Sequence, residues 1–354
     1  MILGGHMDSW GGGVTCNATG NFATLEIARA LASNQSELKR SVHICFWSCH
    51  ETGGMAGSSS FVDKNWDDLD RNGIAYINVD SPGMRGSNRY EARSSTELAN
   101  FHLEVEREVL NEGTKHKRLL HVGDQSFMGI GVPSITGRTE FTPEEIKFWH
   151  GANLGPWHHS DEMTLDKMDV SLMLKAMRVY VAYLVRLCNT PVLPFNHEQV
   201  ARELKNQLDI ITSSVGDCLD LSLPIRYANK LIKNTQTLNK YIKGLRNATQ
   251  SYTSWKENRK VLLANRVQVK LSRILHPINF SISNRYGYDN YGHTALSTPI
   301  PCLYESRYLS TLSQNSTYYR ALLTHLVQQL NRVSDSLKAA SELIEEALLT
   351  FDNL

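Results

Sequence analysis

Short apolar runs alternate with longer amphipathic stretches over about the first 190 residues. The apolar runs, which predict buried strands, lie at residues 1–3, 42–47 and 75–79. The stretches with helical periodicity lie at residues 21–33, 58–65, 96–111 and 169–188. In the first of these helices, Phe22, Leu25, Ala28 and Leu31 are predicted to face the core. The alternation predicts an α/β fold with a mostly parallel sheet flanked by helices.

The pattern changes after Pro191 and Pro194. Two prolines so close together predict a domain boundary, so we expect an α/β domain at residues 1–190 and a second domain at residues 195–354. Strand patterns almost vanish in the second part, and helices are predicted at 197–214, 223–248, 251–274 and 318–349. The last helix carries an apolar stripe, which predicts self-association because large apolar faces usually mark contacts; it comprises Leu322, Leu326, Leu330, Val333, Leu337 and Leu343.

Composition excludes several classes of partner. The formal net charge is +1, from 37 basic and 36 acidic residues, which gives no reason to expect nucleic acid. No apolar stretch reaches about 18 residues, so no membrane span is predicted. The six cysteines lack a pairing rhythm, which favours a reducing, cytoplasmic location. The chain begins inside a predicted strand without a signal peptide, so we expect a fragment, an N-terminally truncated product or a separately encoded half, and a missing localisation signal is the alternative to a cytoplasmic location.

Residues 4–9, Gly4-Gly5-His6-Met7-Asp8-Ser9, follow the first apolar run. His6 and Asp8 are two residues apart, so they point to the same face of an extended segment. A carboxylate beside a histidine is a common arrangement at zinc, where it fixes the imidazole tautomer. A simple hydrogen-bonded turn is the alternative for this segment taken alone.

Further candidate site residues follow the other strands. Glu51 comes after the run at 42–47, and Asp80 comes directly after the run at 75–79. Ligands in open α/β sheets bind at the carboxyl ends of strands, where His6, Glu51 and Asp80 are all predicted to lie. His158 and His159 precede the helix predicted at 169–188.

The order of these motifs resembles that of the zinc-dependent M28 peptidases, including the glutamate carboxypeptidase and transferrin-receptor branch. The resemblance rests on five segments: Gly4-Gly5-His6-Met7-Asp8-Ser9, Glu51-Thr52-Gly53-Gly54 with Gly57-Ser58, Asn78-Val79-Asp80-Ser81, Gly123-Asp124-Gln125-Ser126-Phe127 with Gly131-Val132-Pro133-Ser134, and His159-Ser160 before Thr164-Leu165-Asp166-Lys167. These cover about the first half of the chain.

The resemblance implies a role for each motif residue. His6, Asp80 and His159 stand at metal-ligand positions, and Glu51 stands at the position of the general base. Asp8 would hold His6 in its ligating tautomer. The helical half would correspond to the family's dimerisation domain, which implies a homodimer.

Two positions depart from the family pattern. Cys16 stands where the family has an aspartate that bridges two zinc ions, and Thr52 stands where it has a glutamate ligand. A thiolate binds zinc well and can bridge metals, whereas threonine is a poor ligand. The sequence therefore predicts one Zn²⁺ held by His6, Asp80 and Cys16, with two ions as the alternative.

His50 and His158 are spare nitrogen donors. His50 is either a ligand or, as we favour, a support beside the general base. His158 is predicted to face away from His159, because adjacent side chains diverge in an extended segment.

The predicted function is that of a metal-dependent exopeptidase, an aminopeptidase or carboxypeptidase that cleaves short peptides with a zinc-activated water. Glu51 would move the proton from the water to the leaving amine. The alternative is a catalytically weak or inactive relative that serves as a binding or dimerisation module, because fold does not imply function.

Overall fold

The computed structural model describes residues 1–121, 125–249, 255–289 and 297–354. The chain forms two compact units. Among the described residues, the first unit holds 1–127 and 133–190, and the second holds 128–132, 191–289 and 297–354. Each unit has its own set of elements.

A six-stranded sheet forms the centre of the first unit. Its strands are β1 (Ile2–His6), β2 (His43–Trp47), β3 (Tyr76–Asn78), β4 (Arg89–Ser94), β5 (Lys117–Arg118) and β6 (Ser134–Glu140). They lie in the order β2-β1-β3-β6-β4-β5. Only the β4–β6 pair is antiparallel, so the prediction of a mostly parallel sheet is confirmed.

The register aligns the strand ends that carry the candidate site residues. His6 pairs with Trp47, and Gly4 pairs with Asn78. Because β1, β2 and β3 run in parallel, the residues that follow them emerge at one edge of the sheet. This edge is where the sequence places His6, Glu51 and Asp80.

Helices flank the sheet in the first unit: α1 (Thr19–Ser33), α2 (His50–Gly53), α3 (Ala56–Lys64), α4 (Trp66–Asn72), α5 (Ala99–Leu110), α6 (Pro143–Phe148) and α7 (Val170–Asn189). Asp169 caps α7, since its carboxylate accepts hydrogen bonds from the backbone N–H groups of Ser171 and Leu172. The buried face of α7 includes Tyr180 and Tyr183.

The predicted inner face of α1 is wrong. Phe22 and Leu25 are 52% and 56% exposed, whereas Ala23 and Ile27 are fully buried. Leu31 is the one large residue that the prediction placed correctly. The error arose because the predicted face follows a spacing of three residues, which drifts around a helix of 3.6 residues per turn, whereas Ala23, Ile27 and Leu31 are buried at a spacing of four.

The second unit is helical, as predicted. Its helices are α8 (His197–Val215), α9 (Ser222–Thr249), α10 (Arg259–Phe280) and α11 (Thr317–Asp352), with a 3₁₀ segment at Pro301–Thr311. The helix predicted at 251–274 begins on residues outside the described part of the chain. One hydrophobic core joins all four helices.

The predicted apolar stripe of α11 lies in this core. Leu326, Val333 and Leu337 are completely buried, and Leu322 and Leu330 nearly so. The stripe therefore packs within the unit, and its use as an argument for self-association was wrong. Among the described residues, none of the helices has the length and apolar character that crossing a bilayer requires.

Candidate metal centre

The centre begins at Gly5, where β1 closely approaches the segment that follows β3. A Cβ atom at Gly5 would lie 2.2 Å from the backbone oxygen of Val79, so only glycine fits this position without a shift of the backbone. This close approach brings His6, at the end of β1, toward Asp80.

Asn17 braces the same two segments. Its Nδ2 atom donates to the carbonyl oxygens of His6 at 3.1 Å and Val79 at 2.9 Å, and its Oδ1 accepts from the N–H of Ser81 at 3.0 Å. The side chain is buried, so these bonds are shielded from water. Sequence reasoning missed Asn17, although its place directly after Cys16 was a signal.

Three donor atoms converge at the end of β1. The Nε2 atom of His6 lies 3.6 Å from the Cys16 Sγ and 3.5 Å from the Asp80 Oδ1. Tetrahedral zinc, with bonds of about 2.3 Å to sulfur and about 2.0 Å to nitrogen and oxygen, sets donor separations of about 3.3–3.6 Å. The three side chains therefore have the chemistry and the spacing of a zinc site.

The tautomer of His6 suits this role. Its Nδ1 atom lies 2.8 Å from the backbone oxygen of Asp8, which can only accept a hydrogen bond. Nδ1 therefore carries a proton, which leaves Nε2, facing Cys16 and Asp80, as the atom that a metal would bind.

The carboxylate of Asp8 does not set the tautomer as predicted. It lies 4.0 Å from the Nδ1 of His6 and instead accepts from the backbone N–H groups of His50 at 3.0 Å and Glu51 at 2.9 Å. Burial alone would raise the pKa of Asp8, but these two hydrogen bonds outweigh it and lower the pKa. Asp8 thus anchors α2, which carries Glu51.

Glu51 lies between the candidate ligands. Its Oε1 is 3.0 Å from the Nε2 of His159 and accepts from the Cys16 thiol at 3.4 Å. The side chain of Glu51 is 6% exposed, whereas that of His159 is 41% exposed. A carboxylate in this position can exchange a proton with a group bound at the centre.

His158 and His159 lie side by side, contrary to the prediction that they diverge. Their ring centroids are 3.8 Å apart, and the rings are nearly parallel. The prediction assumed extended backbone, but His159 has a φ of 59°, in the left-handed region. The turn brings donor atoms of Cys16, His158 and His159 within 4.8 Å of one another.

Burial and neighbouring charge set the protonation of these groups. Burial, followed by the Asp80 and Glu51 carboxylates, raises the pKa of the Cys16 thiol far above its ordinary value. Burial would also raise the pKa of Asp80, but His6 and Arg138 outweigh it and hold this pKa low. Burial, aided by His159, lowers the pKa of His158 to about 4. Without a metal, the thiol is therefore protonated and the His158 imidazole is neutral.

The two remaining sequence candidates differ in placement. His50 is buried, and its ring stacks on the His6 ring at 4.0 Å, as expected of a support; its donor atom also lies within 4.8 Å of those of His6 and Glu51. Thr52 is exposed at the rim. Gly123 and Asp124 of the resemblance lie outside the described residues.

A cavity of about 430 Å³ opens beside the donors. One wall of the cavity consists of charged residues of β4 and β6: Glu91, Arg93, Arg138 and Glu140. Arg138 Nη1 lies 3.6 Å from the Asp80 carboxylate. Sequence reasoning missed this wall, yet Thr136, Arg138 and Glu140 alternate along β6, which is the pattern of one polar strand face.

Comparisons with known proteins agree with the sequence motifs. The sequence profile described as Peptidase family M28 matches residues 1–180. A probable glutamate carboxypeptidase of Arabidopsis thaliana is 24% identical over 99% of this chain and 52% of its own length. An inactive N-acetylated-alpha-linked acidic dipeptidase-like protein 2 of Homo sapiens is 24% identical over 56% of this chain and 25% of its own length.

Among solved structures, a zinc aminopeptidase from Bacillus subtilis is similar, with 21% identity and a TM-score of 0.42 over 51% of this chain and 44% of that one. The chain spans about half or less of the length of the curated relatives that it matches. Because the profile match covers more than half of the residues, the chain belongs to peptidase family M28.

Proposed function

We propose that this protein is a zinc-dependent exopeptidase that releases a terminal amino acid from short peptides. The observation that carries the proposal is the convergence of His6, Cys16 and Asp80 at zinc spacing, with the Glu51 carboxylate against them. Three protein donors leave a fourth position for water or substrate, as in catalytic zinc sites.

The residues of the chain would divide the chemistry among them. Zinc, held by His6, Cys16 and Asp80, would lower the pKa of a bound water to about 7 and polarise the scissile carbonyl. Glu51 would serve as the general base and acid, with its carboxylate accepting a proton and passing it to the leaving amine. Asp8 keeps Glu51 in place through its hydrogen bonds to the start of α2.

The cavity supports a small peptide substrate. Its volume of about 430 Å³ suits a ligand of a few residues. The lining includes both Arg138 and Glu140, so a terminal carboxylate or a terminal ammonium group would meet an opposite charge there, in competition with the ion pairs of Arg138 with Asp80 and Glu140. The proposal therefore covers both an aminopeptidase and a carboxypeptidase.

The direct test is release of amino acids from a panel of dipeptides by the full chain with zinc added. We expect slow but measurable release that Glu51→Gln abolishes without lowering the zinc content. Glu26→Gln, at a surface ion pair with Arg29 on α1, is the matched control and should change nothing. Zinc-loaded protein that releases no amino acid from any dipeptide would contradict the proposal.

A second candidate is a peptide-binding module without turnover. The exposed Thr52 favours it, because this residue offers no carboxylate where the resemblance requires a ligand. Isothermal calorimetry with the same dipeptides separates the two candidates: heat of binding without release of amino acids supports the module.

A further inference from the structure

We propose that Cys16, His158 and His159 form a second metal site. Its Cys16 sulfur is shared with the first site, and His158 takes the place of the glutamate ligand that the family has at the position of Thr52. The inference rests on the proposed zinc centre and extends it. It concerns this chain's own departures from the family pattern, since neither a cysteine bridge nor a ligand at His158 is implied by the resemblance.

The Cys16 sulfur has donors on two sides. The Nε2 of His6 lies 3.6 Å from it, and the Nε2 of His159 lies 4.0 Å from it. Two donor groups therefore contain the same sulfur, one with His6 and Asp80 and the other with His158 and His159. A thiolate has enough lone pairs to bind one metal in each group.

His158 has a structural reason to be a ligand. Its Nδ1 atom is buried and has no hydrogen-bond partner among the described residues. A buried nitrogen without a hydrogen-bond partner destabilises the folded state, and a metal bound to this nitrogen would remove that cost. The backbone at His159 is left-handed, the two rings are stacked, and one ring nitrogen of each lies within 4.8 Å of the Cys16 sulfur.

The charges around the two sites determine which of them binds its metal more tightly. The first site has the Asp80 carboxylate and the Cys16 thiolate as ligands, whereas the second shares that thiolate and adds two imidazoles, with the Glu51 carboxylate 3.0 Å from the Nε2 of His159. Arg138 adds a positive charge 3.6 Å from Asp80. Two dications therefore face few anionic ligands and repel each other, so the second metal binds more weakly than the first. Loading releases the thiol proton of Cys16 to solvent.

The ligand set also selects the metal. One soft sulfur and two imidazoles suit Zn²⁺, and Co²⁺ substitutes for it in such sites. Cobalt bound to thiolate absorbs in the near ultraviolet through sulfur-to-metal charge transfer, which gives a readout that is independent of catalysis.

The experiment is a titration of the metal-free full chain with Zn²⁺, followed by elemental analysis, and with Co²⁺, followed by absorption. His158→Phe removes the nitrogens but keeps a ring stacked on His159. His43→Phe is the matched control, because His43 is exposed at the start of β2 and belongs to none of the donor groups among the described residues. We expect two equivalents in the unchanged chain and in His43→Phe. In His158→Phe, the second equivalent should bind at least about tenfold more weakly while the first is unchanged.

The cobalt spectrum of the unchanged chain is a second measurement that requires no variant. If the sulfur bridges both metals, charge-transfer absorption continues to grow through the second equivalent and disappears in Cys16→Ser. Growth that stops at one equivalent would overturn the shared sulfur. Full retention of both metals by His158→Phe, or an equal loss in His43→Phe, would overturn the role of His158.

The outcomes also separate this inference from the proposed function. A chain that saturates at one zinc, lost in His6→Ala, would leave the exopeptidase proposal standing and remove the second site. A chain that binds no zinc at all would remove both.

Discussion

Individual donors were predictable from the motif order, but their orientation was not. The strand pattern placed His6, Glu51 and Asp80 at one strand edge, the resemblance added His159, and the structure brings them together with Cys16. The stacking of His158 on His159 depends on one left-handed backbone angle that no side-chain pattern reveals. The tautomer of His6 depends on a backbone carbonyl, for which the sequence contains no signal.

At the residue scale, replacing Cys16 and Thr52 by the carboxylates of the family pattern tests how much activity the two departures cost. Cys16→Asp with Thr52→Glu supplies two carboxylates to a centre that has few anionic ligands, so the second metal should bind more tightly. We expect peptidase activity to rise at least about tenfold, and more than the product of the single changes, because bridge and ligand act together. Release of amino acids from dipeptides with zinc present is the assay.

Two variants control this prediction. Thr52→Gln has the shape of glutamate without its charge, so Cys16→Asp with Thr52→Gln should show little of the gain. Glu51→Gln added to the restored chain should abolish it, since the proton acceptor is lost while the ligands remain. No gain despite two bound zinc ions would favour the binding-module candidate.

At the scale of elements, the sequence predicted β1, β2 and β3, which run in the same direction, better than β4, which with β5 runs opposite to them. β1 and β2 carry apolar runs, whereas β4 (Arg89–Ser94) is rich in polar residues because one of its faces lines the cavity. A strand that serves a site loses the apolar signature by which strands are recognised. The same reason hid the charged face of β6.

Because β1 closely approaches Val79, a single methyl group added at Gly5 should have a measurable effect. Gly5→Ala places a Cβ 2.2 Å from the Val79 oxygen, and backbone cannot give way as a side chain does. We expect a loss of about 3 kcal/mol in the free energy of unfolding, at the upper end for overpacking, and weaker zinc binding because His6 shifts from Asp80. Urea unfolding and zinc titration measure the two effects.

Gly113→Ala is the control for this change. A Cβ at Gly113 meets no atom within 4 Å, so stability should change by less than about 0.5 kcal/mol. Equal destabilisation by the two substitutions would show that the contact between Gly5 and Val79 does not hold the strand ends together.

At the scale of the whole molecule, the periodic pattern predicted the helices of the second unit but not what their apolar faces pack against. The stripe on α11 satisfies the unit's own core, and a periodic pattern alone does not say which partner covers it. A homodimer stays a prediction from the family resemblance. The apolar side chains available to it are those that remain exposed, among them Ile210, Tyr318 and Leu349.

The oligomeric state can be measured without altering the chain. We expect light scattering of the full chain to give twice the mass of the monomer at micromolar concentration, falling toward the monomer on dilution. Leu349→Lys, at a side chain that is 68% exposed, should weaken association if α11 contributes to the interface. A constant monomer mass up to high concentration would contradict the prediction.

Zinc should stabilise the two units unequally. All proposed ligands lie in the first unit, so zinc at about 100 times its dissociation constant should add about 2.7 kcal/mol to the stability of that unit. Hydrogen exchange followed by peptide mass spectrometry should therefore show slower exchange in β1 and β3 with zinc, and unchanged exchange in α9 and α11. His6→Ala should remove the protection, because it lacks the nitrogen that faces Cys16 and Asp80. Equal protection in α9 and α11 would mean that the two units unfold together, and protection that persists in His6→Ala would place the metal elsewhere.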